Sequence, residues 1–330
     1  MKNSKGQTKE SEENTKNSVK RLVMVIISIL LQVGWIIGLA VKLTNYYAAI
    51  STLASVLALL LVFRVYGLQI NSAYKISWII LILLFPIMGV CLYLMFGRTG
   101  ALGGMRKWFD KVHAAYTHLL PQDAQIVDKL ETADGTLARQ SGYLRRGAGY
   151  PVYQNTDVEF YGDTVRALEA QKAELRKAQK FIFMEYHAIE DSVAWKGIEE
   201  ILEEKAAAGV DVRVFYDDMG SIGFINRDFM EKLKRKGIQC KVFNPLIPVL
   251  NVFMNNRDHR KITVIDGKVG FTGGYNLANE YFNLTHPYGE WKDSGVKLTG
   301  DAVRSLTLIF LEMWNANQKE QEDPIPYLLK

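Results

Sequence analysis

The chain has 330 residues, 40 Lys+Arg against 35 Asp+Glu and a formal charge of +5. Its 48% hydrophobic content is ordinary on average, but residues 22–96 are dominated by apolar runs while residues 98–330 read as a mixed soluble protein. That split excludes a wholly soluble enzyme and a disordered chain, and two cysteines, Cys91 and Cys240, exclude a disulfide scaffold and a cysteine-based zinc site.

Residues 1–21 form a charged tail with Lys2, Lys5, Lys9, Lys16, Lys20 and Arg21. Residues 22–41, 46–63 and 76–96 follow as uncharged runs of 20, 18 and 21 residues. A bilayer core takes about 20 apolar residues of helix. Residues 22–97 are therefore expected to form a membrane domain of two to three transmembrane helices. The first run is too long, and too far from the N-terminus, for a cleaved signal peptide. Pro86 and Gly89 predict a kink in the third run. Gly34 and Gly38 form a small-xxx-small pair through which two helices can approach. Basic residues stand at both ends of the runs, Arg64 and Lys75 before the third and Arg98, Arg106, Lys107 and Lys111 after it, so loop charge leaves the orientation open.

Residues 98–149 read as a helical connector: a glycine-rich hinge at 97–104, an amphipathic helix over 105–120 ended by Pro121, and a polar helical stretch over 122–146. His113 and His118 are five apart on that helix and do not share a face, so they are read as solvated or interfacial rather than as a metal pair. Residues 150–330 alternate strand-like and helix-like segments. Strands are expected at 180–187, 211–216 and 238–243, with helices at 193–208, stopped by Gly209, and at 226–236. Strands at 261–265 and 269–272 flank Asp266-Gly267, a hairpin signal, and a last helix covers 301–314. This alternation predicts an α/β domain with a mostly parallel sheet flanked by helices. No Walker loop, GxGxxG or GxSxG is present in the sequence, which weighs against nucleotide-dependent chemistry and a nucleophile-elbow hydrolase.

The chemistry concentrates in residues 255–281, NNRDHRKITVIDGKVGFTGGYNLANEY. His259-x-Lys261 opens a strand, and residues two apart on a strand share a face. An imidazole beside an ammonium suits a phosphate: the nitrogen attacks phosphorus while the cation balances the anionic oxygens. Asp266 follows, then Gly273 and Gly274, which allow close backbone approach, and Asn276, which can donate an amide hydrogen bond to the same phosphate. Glu185 and His187 share one strand and can face this site; His187 is read as a half-buried histidine with satisfied hydrogen bonds. The apolar run 246–254 directly precedes the motif and is expected either beside the bilayer or as a core loop.

The stretch resembles the HxKx4Dx6GGxN motif of the phospholipase D superfamily, and the chain is similar to the bacterial cardiolipin synthase family over most of residues 70–315. The resemblance rests on Trp78, Phe85-Pro86-Ile87-Met88-Gly89, Glu185-Tyr186-His187, residues 216–221, residues 255–267, Trp291-x-Asp293 and residues 300–303. It implies one phospholipase D-like half-domain needing neither cofactor nor metal. It implies that His259 is the nucleophile, that Lys261 and Asn276 hold phosphate oxygens, that Asp266 supports the motif and that Asp293 orients a histidine. It implies transfer between two phosphatidylglycerols, giving cardiolipin and glycerol, at the bacterial plasma membrane with the catalytic domain on the cytoplasmic face and no nucleic acid as partner. The family pattern has a second HxKx4D motif. Here the only later histidine is His286, followed by Pro287-Tyr288. The expectation is that the chain is the first half of a longer protein; pairing of two copies, or a partner chain supplying the second half, are the alternatives. A membrane-tethered nuclease and a non-catalytic membrane interaction module are the competing functional readings.

Overall fold

The computed structural model describes residues 47–97, 103–226, 228–245, 257–316 and 321–328, together with most of 23–38. The charged tail at 1–21 and the apolar run 246–254 lie outside the described residues. Two compact units are present, one holding residues 20–104 and the other holding Met105–Pro245 and Arg257–Lys330.

The first unit contains helices α1 (Tyr47–Gly67), α2 (Ser72–Leu84) and α3 (Pro86–Leu92), followed by a π-helical turn at Tyr93–Gly97. Asn71 caps α2, its side chain accepting from the Ala73 amide at 2.9 Å. The third apolar run is not one continuous helix. It breaks at Phe85 (φ −131°, ψ 75°), where Pro86 cannot donate into the preceding turn. Gly89 then lets α3 lie against α2: a Cβ there would stand 2.6 Å from the Ile82 Cα. The expected kink at Pro86 and Gly89 is therefore a full break. Ala58, Val65, Ile82 and Tyr93 form the small core of this unit. Among the described residues no helix is long and apolar enough to cross a membrane. Large apolar side chains are nevertheless turned outward, among them Leu31, Trp35, Phe63 and Leu84. Gly34 and Gly38 have open space where a Cβ would be.

The second unit opens within α4 (Gly103–Thr117), which is followed by α5 (Ala124–Ala133) and α6 (Gly135–Ala148). The expected helix over 122–146 is divided at Asp134, whose carboxylate caps α6 at the Thr136 and Leu137 amides. There follow β1 (Thr156–Tyr161), α7 (Thr164–Leu175), β2 (Phe181–Tyr186), α8 (Val193–Ala207) and β3 (Asp211–Asp217). The chain continues through α9 (Phe229–Arg235), β4 (Gln239–Phe243), β5 (Lys261–Ile265), β6 (Val269–Gly273), β7 (Gly295–Gly300) and α10 (Val303–Ala316).

The strands form one seven-stranded sheet in the order β1-β7-β6-β5-β2-β3-β4. Only β2·β3 and β3·β4 are parallel, joined by crossover helices α8 and α9 as parallel pairs require. The β1·β7, β7·β6, β6·β5 and β5·β2 pairs are antiparallel. The expectation of a mostly parallel sheet is thus corrected to a mixed sheet, antiparallel on the side that carries the motif. Asp266 (φ 52°) and Gly267 (φ 67°) make the β5–β6 turn with two left-handed residues in succession, the geometry a tight hairpin needs.

The sheet is covered on both faces. Ile182, Met184, Tyr186, Val212, Val214 and Tyr216 point toward Leu168, Ile198, Leu202 and Phe229 of α7, α8 and α9. Phe181, Phe183, Phe215, Ile262 and Val264 point the other way, onto Leu308, Phe310, Leu311 and Trp314 of α10. Val112, Tyr116 and Leu120 join that second core. The stretch expected to be a separate connector is therefore a structural layer of the same unit.

Candidate active site

Strand polarity decides which residues meet. The C-terminal ends of β2, β3 and β6 and the N-terminal ends of β5 and β7 lie along one edge, because Tyr186 pairs with Lys261, Ile262 with Thr272, and Gly273 with Gly295. His259 stands just before β5 and is exposed, while Lys261 is 5% exposed. The Lys261 Nζ donates to the His259 carbonyl at 3.0 Å. Burial lowers the Lys261 pKa to about 8. His259 is also held below its ordinary value, by partial burial first and then by the charges of Lys261 and His187. Both effects favour the neutral, nucleophilic imidazole near pH 7.

The loop carrying His259 is tied down by a carboxylate that the sequence reading did not single out. Asp217, fully buried at the end of β3, accepts from the Asp258 amide at 2.9 Å and from Arg257 Nη1 and the Gly220 amide at 3.1 Å each. Its signal lay within the stretch 216–221 that carries the resemblance, but its partner Arg257 is 40 positions away in the chain. Asp258 in turn accepts from Arg260 Nε at 2.9 Å.

The structure separates several residues grouped with His259 from sequence. Glu185 pairs with Ile262, so it lies on the opposite sheet face from Lys261, with Phe181 and Phe183. It is fully buried and 3.0 Å from Arg260 Nε. Burial pushes its pKa well up, against the pull of Arg260. The expectation that Glu185 lines the site is corrected: it underpins Arg260 from behind. On that same face His113 Nδ1 is 2.9 Å from Glu312 and Tyr150 donates to Glu312 at 3.1 Å, so His113 has a buried partner; His118 is exposed.

Asp266 sits at the far end of β5. Its carboxylate accepts from the Gln179, Lys180 and Phe181 amides at 2.9, 2.7 and 2.9 Å. The support expected of it is directed at the backbone: it clamps the β5–β6 turn to the start of β2, away from the edge that carries His259. Asp266→Ala is expected to lower stability by about 2–3 kcal/mol through the orphaned amides, read as a lower urea midpoint, with kcat per folded molecule little changed. A large loss of kcat at unchanged stability would return Asp266 to the site.

Gly273 and Gly274 have packing reasons for being glycine. A Cβ on Gly273 would stand 2.6 Å from the Ser294 carbonyl, and one on Gly274 would collide with the Asp293 carboxylate. Asp293 accepts from the Ser294 amide at 2.8 Å and lies close enough to Lys261 to support its charge. Asn276, 3% exposed, accepts from the Ala188 amide at 3.0 Å and donates to the Tyr281 hydroxyl at 2.8 Å. Among the described residues that leaves one amide hydrogen of Asn276 for another acceptor. Trp291 packs on Tyr281 with ring centroids 4.7 Å apart.

Comparison with known proteins gives two family matches. Residues 172–314 match the cardiolipin synthase, phospholipase D-like domain, and residues 54–98 match the phospholipase D-nuclease N-terminal domain. An uncharacterized protein of Streptococcus mutans is 39% identical over 79% of this chain and 56% of its own length. A cardiolipin synthase of Staphylococcus aureus is 30% identical over 80% of this chain and 54% of its own length. Among solved structures, Nuc of Salmonella typhimurium, a phospholipase D family member, aligns with 51% of this chain and 98% of its own at 16% identity and a TM-score of 0.38. The chain spans about half the length of the relatives it matches.

Proposed function

We propose that this chain, which belongs to the cardiolipin synthase group of phospholipase D-like proteins, transfers a phosphatidyl group between two phosphatidylglycerols through a covalent intermediate on His259. The observation that carries this reading is the juxtaposition of an exposed imidazole, held toward its neutral form, with a desolvated ammonium at the edge of the sheet.

The steps balance without a cofactor. A ring nitrogen of His259 attacks phosphorus, the bond to the head-group glycerol oxygen breaks, and glycerol leaves carrying a proton from a general acid. A glycerol hydroxyl of the second phosphatidylglycerol then attacks the same phosphorus, gives up its proton, and the P–N bond breaks. Lys261, backed by Asp293, balances the phosphoryl oxygens, and the remaining amide hydrogen of Asn276 completes their contacts. The general acid is a second histidine, supplied by a further half of the protein, by a second copy or by a partner chain. Exchange of one alcohol for another on a phosphodiester is close to energetically neutral, so no nucleotide is consumed. The outward-turned apolar residues of the first unit support a membrane-anchored enzyme.

The test is to incubate the full chain with vesicles of phosphatidylglycerol carrying radiolabelled phosphorus, quench with base and map the label. An acid-labile adduct on His259, absent from His259→Asn, is the expected result. Label on no residue, with lipid bound, would favour the non-catalytic module; cleavage of a nucleic acid without lipid transfer would favour the nuclease.

A further inference from the structure

We infer that His187 is a positioning residue for the His259 imidazole, fixing it by gripping the peptide on either side of His259. This rests on the reading of His259 as nucleophile. The geometry is specific. The backbone amide of His187 donates to the Arg260 carbonyl at 3.1 Å, and its Nδ1 lies 2.8 Å from the Asp258 carbonyl. These are the two residues flanking His259. A carbonyl only accepts, so Nδ1 carries a proton and the neutral His187 ring is the Nδ1–H tautomer. The two imidazoles stand with centroids 4.7 Å apart and planes at 52°.

His187 is itself braced. Asn276 holds the next amide, that of Ala188, at 3.0 Å. On the other side Gly220 leaves the space that the ring needs: a Cβ there would stand 2.8 Å from Nε2 and Cε1 and would collide with the His187 carbonyl. Gly220 is placed by its own amide donating to Asp217 at 3.1 Å. Asp217 thus holds the Asp258 amide from one side while His187 holds the Asp258 carbonyl from the other. A loop residue preceding a strand has few ladder bonds of its own, so these two grips set where the His259 ring points. The exposed His259 has no other ring contact among the described residues.

The ring of His187 also acts electrically. The charged groups around the imidazole pair are Lys261, Asp258 and Asp217, with Arg257 on Asp217 and Arg260 on Asp258. In that setting a second imidazole makes protonation of the first less favourable, which keeps His259 nucleophilic as pH falls.

The test uses two variants of the full chain in detergent. His187→Asn keeps a side-chain N–H near the position of Nδ1 and discards the ring; His187→Phe keeps a ring and discards the N–H. The first measurement is activity-independent: long-range 15N–1H spectra of histidine-labelled protein. The proposal expects His187 as the Nδ1–H tautomer, and an upward shift of the His259 titration midpoint in His187→Asn. The second is turnover of phosphatidylglycerol at matched folded fraction. Misplacing a reacting group by about 1 Å costs on the order of a hundredfold, so His187→Phe should lose about tenfold to a hundredfold in kcat with KM little changed, and His187→Asn should recover most of that loss. Equal activity of wild type and His187→Phe would overturn the proposal, as would the Nε2–H tautomer or a His187→Asn defect as deep as that of His259→Asn. A wild-type chain with the expected spectra but no His259 adduct would instead sink the catalytic reading while leaving the geometry standing.

Discussion

A His259→Asn chain is expected to lose phosphatidyl transfer by roughly 10^4-fold or more, the scale seen when a nucleophile is removed from a catalytic unit, with its melting temperature unchanged. The stability expectation follows from exposure: His259 stands outside the buried cores. Lys261 interacts with the carbonyl of residue 259, not with its ring, so the ammonium stays in place when the imidazole goes. The loss should therefore appear in kcat rather than in lipid binding. The pH profile gives a second reading of the same residue. The nucleophile is the neutral imidazole, and its pKa is lowered in the folded chain by burial, Lys261 and His187. Activity should consequently persist below the ordinary histidine value of about 6.5 and fall only as pH drops through the lower folded value. On the alkaline side Lys261 loses its proton near pH 8, so the rate should decline there as phosphate stabilisation weakens. A bell with both limbs displaced in these directions is the expected profile, measured as kcat/KM against pH. A Lys261→Arg chain, whose cation does not titrate in this range, should keep its activity further into the alkaline region even if its maximum is lower. An acid limb at or above the ordinary histidine value would show that His259 is not the group titrating.

The sequence made one edge of the sheet legible and hid the rest. The HxK pair was visible because its members are neighbours in the chain, but the strand begins only at Lys261, so the loop before it places His259. The hairpin at Asp266-Gly267 was visible for the same reason, and its left-handed pair is found there. The parity of Glu185 was not readable. Whether its side chain joins Lys261 depends on the register between β2 and β5, 76 positions apart in the chain, and the pairing of Glu185 with Ile262 puts them on opposite faces. The mixed sheet was missed because β1, α7 and β7 were not recognised. β1 is an edge strand whose apolar residues, Val158 and Phe160, are exposed, so its alternation with Asp157 and Glu159 does not mark a buried face, and β7 sits between glycines. The role of Asp266 was half readable. A carboxylate at a hairpin turn was expected to support the motif, but its targets are the amides of residues 179–181, which become its neighbours only when β2 is laid beside β5. His187 followed the same rule: as a half-buried histidine with satisfied bonds it is as expected, but that its partners flank His259 is tertiary information.

Asp217→Ala is expected to be the most damaging single change to the structure, costing about 3–5 kcal/mol, because it leaves a buried arginine without its counter-ion. Arg257 has a side chain only 14% exposed, and its Nη1 lies 3.1 Å from the fully buried Asp217 carboxylate. Among the described residues the Arg257 Nε and Nη2 atoms are buried without a hydrogen-bond partner; Nη1 also reaches the Asn244 carbonyl at 3.4 Å, so Asp217 is the charged group that balances this cation. The same substitution orphans the Asp258 and Gly220 amides. For a unit of this size the loss corresponds to a fall of about 10 °C in melting temperature. Asp217→Asn should lie between wild type and alanine, since its carboxamide oxygen keeps one acceptor while its NH2 meets donors. The decisive comparison is the double variant Asp217→Ala, Arg257→Met. Removing both charges of a buried pair costs far less than removing one, so the double variant should be more stable than Asp217→Ala alone. It should still turn over slowly, because the Asp258 amide has lost its anchor and the loop that aims His259 is held from the His187 side only. Simple additivity of the two single losses would mean that Arg257 and Asp217 are not coupled, and that the loop owes its position to something other than this carboxylate. Recovery of stability together with full turnover would remove Asp217 from the aiming of His259 and leave it as a structural anchor alone.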